Sequence, residues 1–84
     1  MKTPIDRPAM RVGDFIEFTG QAARTVSPLV GLTMTRMRGV VLCGFPYHQQ
    51  DAYAPKLLAC GYRLNVTVAT DRGQVASWLK AAGQ

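Results

Sequence analysis

The stretch RVGDFIEFTG, Arg11 to Gly20, decides how this chain is read. It reads as extended, and in a strand successive side chains point to opposite faces. Asp14, Ile16 and Phe18 then share one face, while Phe15 and Glu17 share the other. Ile16 and Phe18 suit a core. The opposite face is left with a large aromatic ring beside a carboxylate, a pairing that asks for a purpose.

Outward from this strand, placed at Val12 to Phe18, the elements follow in order. Thr19-Gly20 breaks the strand, and QAARTVSPLVG carries Ala22, Ala23 and Val26 at helical spacing, with Pro28 and Gly31 ending the helix. LTMT alternates and predicts a second strand, RMRG a hairpin tip, and VVLCGF a strand apolar on both faces and therefore central. PYHQQDAY turns into a second helix with APKLLACG as its body. Gly61 is its C-terminal cap, and Pro55 must lie near the first turn or kink the helix. YRLNVTV is the fourth strand, with Leu64, Val66 and Val68 on one face. Asp71 caps a third helix, with Gln74 in capping-box position, an apolar stripe of Val75, Trp78, Leu79 and Ala82, and Gly83 at its end. Met1 to Met10, with Pro4 and Pro8 and no apolar period, predicts a loose arm. The expected fold is a single α/β (α+β) domain: a small mixed sheet of about four strands backed by three helices, in the order β-α-β-β-α-β-α.

Eighty-four residues make one small domain, and a domain of this size buries only about 60% of its unfolded surface. Ten Lys and Arg against five Asp and Glu give a net charge of +5, which favours an anionic partner, nucleic acid ahead of membrane. Plain solubility is the alternative use of such an excess. Cys43 and Cys60 lack paired spacing, and His48 is the only histidine, so neither a zinc site nor a bound cofactor is expected. Buried, reduced thiols and the lack of a signal peptide or apolar span predict a cytoplasmic protein.

Catalysis is disfavoured. The acids are Asp6, Asp14, Glu17, Asp51 and Asp71, and alternation sends the neighbours Asp14 and Glu17 to opposite faces. His48 stands at a helix mouth without a Ser or Cys evidently beside it. Neither GxGxxG nor GxxxxGK[ST] occurs.

RVGDFIEF resembles the GDFYE signature of the N-terminal, mismatch-recognition domain of the MutS DNA mismatch repair family. VVLCGFPYHQQDAYAPKLLACGYRLNV is similar to a later segment of that domain, with Cys43, Gly44, Pro46, Tyr47, His48, Tyr53, Lys56, Leu57 and Gly61 at matching places. GLTMTRMRG between them is similar to the family's leucine-threonine strand ending in a basic pair. The resemblance covers roughly Arg11 to Val66 and departs at three points. The connection after RMRG is tighter, Val68-Ala69 stands where the family commonly ends its strand in glutamate-glutamine, and 84 residues leave no room for connector, lever, clamp or ATPase.

The resemblance implies that Phe15 enters the minor groove and stacks on a mispaired or unpaired base, with Glu17 hydrogen-bonding that base. Arg36 and Arg38, flanking the hairpin tip, stand near the family's basic pair and are candidate phosphate contacts, although Met37 separates them. Arg11, Lys56 and Arg63 are lesser candidates. The expectation is a stand-alone, non-enzymatic module for mismatched, distorted or unpaired DNA, gaining useful affinity from a homodimer or larger complex. The alternatives are a protein-interaction module of phage or mobile-element type that docks onto a repair or defence protein, and a single-strand binder. Phe15 has its own alternative, an ordinary sheet aromatic covered by the third helix.

Overall fold

The computed structural model describes residues 3–37, 39–69 and 71–82. The extended stretch Arg11 to Gly20, near the start of the sequence, belongs to two strands, not one. β1 runs Ile5–Val12 and β2 Phe15–Thr19, antiparallel, with Val12 opposite Phe15, so Gly13-Asp14 is a two-residue hairpin loop. Gly13 has φ +59, the left-handed region that such a tight loop needs at its first central residue and that glycine enters without strain. Asp14 therefore belongs to the turn and to neither strand face.

Residues 5–10, expected as part of a loose arm, lie inside this sheet. β1 pairs with β5, Tyr62–Val68, in parallel along seven residues from Ile5 to Arg11. Pro8 hid the strand, since proline usually marks a strand interior as irregular. Pairing between β1 and β2 starts only at Met10, so that flank of Pro8 has no β2 partner to miss its N–H. The sheet thus has five strands in the order β3-β4-β2-β1-β5.

α1, Gly20–Val30, keeps Pro28 in its last turn and is capped by Gly31. β3 is short, Thr35–Met37, shifted toward the hairpin tip from the expected LTMT, because its pairing with β4, Val40–Pro46, begins at Thr35 opposite Leu42. A 3₁₀ turn at Tyr47–Gln49 leads into α2, Gln50–Ala59, where Pro55 sits inside the helix. Gly61 donates its N–H to the Leu58 carbonyl at 3.0 Å and closes α2 as expected. α3 spans Arg72–Ala82, and the Asp71 carboxylate accepts the Gln74 N–H at 2.8 Å.

Three layers result. Ile16 and Phe18 of β2, Cys43 and Phe45 of β4 and Ala9 of β1 point to one face, where Ala23 and Val26 of α1 and Leu57 of α2 complete the core. Phe45 stacks on Tyr53 of α2 with centroids 4.6 Å apart. Full burial of a side chain the size of Ile16 or Phe18 stabilises by about 1.5–3 kcal/mol, which makes this face the main source of stability. α3 lies against the opposite face. Val75 and Leu79 line a groove with Val12 and Met37, and Trp78 and Ala81 line another with Pro8 and Thr19. The stripe Val75, Trp78 and Leu79 is only half-buried. Ala82's side chain, Gly83 and Arg38 lie outside the described structure. Cys43 is buried as expected, and burial pushes its thiol up to about 11. Cys60 is exposed instead, because it lies just beyond the end of α2. Among the described residues no helix is long and apolar enough to cross a membrane.

Candidate nucleic-acid interface

Alternation in β2 is as sharp as the sequence predicts. Ile16 and Phe18 are 1% and 0% exposed, whereas Phe15 is 49% exposed on the other face, and Glu17 beside it is half-buried. Phe15 stands at the hairpin end of the sheet, between Val12 of β1 and Pro46 of β4. Although α3 occupies the same face, it leaves this ring open.

Glu17 lies deeper, flanked by Met10 on β1 and Gly44 on β4. The missing side chain at Gly44 makes the site possible. A Cβ there would come within 2.5 Å of the Ile16 carbonyl oxygen and 3.1 Å of the Glu17 Cγ. Burial raises the carboxyl of Glu17 above the ordinary value of 4.5. No ion pair to Glu17 occurs among the described residues. Among the described residues, the result is a half-buried carboxyl with no paired cation beside an exposed ring, able to accept a hydrogen bond when ionised and to donate one when protonated.

Phe15 and Glu17 are therefore brought together. The basic candidates are not gathered around them. Arg36 pairs with Val41, placing it on the opposite face of the sheet, and its pairing level lies five residues along β4 from that of Phe15, about 17 Å at strand rise. Arg38 lies outside the described residues. Arg63 donates to Asp6 at 2.7 Å in an exposed ion pair on the far edge strand, holding the Asp6 carboxyl below its usual range. Lys56 lies over the Tyr53 ring of α2, 5.3 Å from its centroid. Arg11 is different. Its guanidinium lies 3.8 Å from the centroid of Tyr47, and its Nε donates to the Gly13 carbonyl at 3.1 Å.

Two contributors escaped the reading from sequence, Gly44 as the opening for Glu17 and Tyr47 as the platform for Arg11. Both depend on which strands pair, which residue spacing does not disclose. Among the described residues no group of three or more His, Cys, Asp or Glu could hold a metal.

These features define a class: a small three-layer α/β domain that offers a ring and a half-buried carboxyl from one strand. The profile of the family described as MutS domain I matches residues 9–80, and the chain belongs to that family. It is 35% identical over 71 residues to the DNA mismatch repair protein MutS of Desulfitobacterium hafniense, covering 79% of this chain and 8% of that protein. With the DNA mismatch repair protein MutS of Porphyromonas gingivalis it shares 41% identity over 61 residues, 67% of this chain and 7% of that one. The chain thus spans less than a tenth of the length of these relatives.

Proposed function

We propose that this domain is a non-enzymatic DNA-binding module that probes mispaired, distorted or unpaired sites, with Phe15 as a stacking wedge and Glu17 as a base-contacting selector. The observation that carries this reading is the exposure of Phe15 on the same strand face as Glu17, in a member of the MutS domain I family. Stacking a base on an aromatic ring gains about 1–3 kcal/mol. Opening an intact base step costs about a few kcal/mol, and less where pairing is already damaged. The two nearly cancel on sound duplex, and stacking wins at a mismatch.

A carboxylate close to phosphates is repelled, so Glu17 adds little affinity. Its half-buried, upward-shifted carboxyl supports a selector role, since a proton shared with a base nitrogen removes the repulsion only where a base presents that nitrogen. Arg36, remote from Phe15, is retained as a phosphate contact, and so is Arg38, which lies outside the described residues. A single module of this kind buries about 600–1,000 Å² on DNA. Binding by the domain alone is therefore weak, and a dimer or larger assembly supplies the rest.

The test is fluorescence anisotropy at low salt on matched duplex, mismatched duplex and single strand, with wild type and Phe15→Ala. The mismatch preference of the wild type should vanish in the variant. Phe15 is exposed, so the substitution should leave the melting temperature close to wild type, whereas Phe18→Ala in the core should cost about 3–5 kcal/mol. Failure to bind any of the three nucleic acids, or an unchanged preference in Phe15→Ala, overturns the reading.

A further inference from the structure

Phe15 has two cross-strand partners, Val12 and Pro46, and the immediate chain neighbours of these two are Arg11 and Tyr47. Tyr47 is tied to the hairpin loop by its backbone N–H, which donates to the Asp14 carbonyl at 2.8 Å. Tyr47 is 39% exposed, and the Arg11 guanidinium lies over its ring. Stacking uses the flat face of the guanidinium and the Gly13 carbonyl uses Nε, so the four N–H groups on the two Nη atoms keep their edge free. Among the described residues those N–H groups have no acceptor, and the only ion pair is Arg63 with Asp6. Asp14, exposed in the same turn, is the nearest acid along the chain and does not neutralise Arg11.

By strand alternation Arg11 points to the face opposite Phe15, and the two residues flank the end of the sheet. A wedge entering the minor groove from that end has a phosphate backbone passing on either side, because the groove is only about 6 Å wide. We propose that Arg11, held in place on Tyr47, grips a backbone phosphate beside the base step that Phe15 opens. The fork geometry of a guanidinium matches a phosphate, and anchoring by stack and hydrogen bond reduces the side-chain freedom lost on binding. Arg11 fixes position and affinity, while base discrimination stays with Phe15 and Glu17. This inference rests on the DNA-probing reading above.

The experiment measures affinity for matched and mismatched duplex over a range of salt concentrations. Arg11→Gln should weaken binding to both duplexes several-fold and by the same factor, with the mismatch preference intact. The slope of log affinity against log salt should shrink by about 0.9 for the one phosphate lost. Phe15→Ala should do the reverse, losing the preference and keeping the slope. In wild type, the rate at which an arginine-selective dicarbonyl modifies Arg11, followed by mass spectrometry, should fall when duplex is added. An unchanged slope in folded Arg11→Gln, or modification of Arg11 unaffected by duplex, overturns the phosphate grip and leaves the wedge standing. No duplex binding by wild type removes both.

Discussion

At the scale of single residues, Glu17 carries the most testable physics. Its carboxyl is raised above 4.5 by burial alone, so the folded state binds a proton more tightly than the unfolded chain does. Between those two values the native state holds more protons, and stability falls as pH rises. Glu17 therefore lowers stability above its folded value relative to an uncharged replacement. Glu17→Gln should remove that part of the pH dependence, and urea denaturation of both proteins from mildly acidic to neutral pH measures it. Asp6, lowered chiefly by its hydrogen bond from Arg63, acts in the opposite sense and is common to both proteins, so it cancels in the comparison. A pH profile unchanged in Glu17→Gln would mean that the carboxyl is not desolvated in solution. The half-burial that creates this cost is also the feature on which the selector role proposed for Glu17 rests.

At the scale of elements, β1 is where pattern and structure part. Its sequence, IDRPAMRV, lacks clean alternation and contains a proline, and both features point away from a strand. In the fold it is the one strand that holds β5, which has no other strand partner among the described residues. It also supplies Ala9 to the core and places Val12 beside Phe15. Deletion of residues 1–10 should therefore abolish the cooperative thermal transition followed by circular dichroism. A truncated chain that melts cooperatively at the wild-type temperature would contradict the sheet order. The strands read directly from sequence, β4 as an apolar run and β5 as an alternating one, are those whose side chains carry their own burial signal.

At the scale of the whole molecule, the two faces of the sheet differ in how firmly they are covered. α1 and α2 seal one face with Ala23, Val26 and Leu57, each fully buried. α3 covers the other loosely, its stripe half-buried and grooves of about 350 and 460 Å³ beside it. Full burial of large apolar side chains is worth about 1.5–3 kcal/mol each, so half-burial leaves α3 a few kcal/mol less secured than β2 or β4. Native-state hydrogen exchange should find α3 amides opening well below the global unfolding free energy and β2 and β4 amides close to it. Equal protection in all three would show that α3 is integral to the core. The loosely held α3 lies on the face that carries Phe15 and Glu17, the pair proposed to probe DNA.

The sequence by itself determined the family, the split of Ile16 and Phe18 from Phe15 and Glu17, the helices with Gly31 and Gly61 closing the first two, and the strands with strong apolar patterns. Those features arise from local periodicity and from backbone geometry that particular residues demand. Only the tertiary structure decided that residues 5–10 form a strand, that Gly44 makes room for Glu17, that Arg11 rests on Tyr47, and that Arg36 lies on the sheet face opposite Phe15. Each of these depends on which strand lies beside which, a choice made by long-range pairing and burial that no short stretch of sequence encodes. The ring and carboxyl of FIE were legible in ten residues, and how far each stands exposed was decided by what the remaining elements leave uncovered.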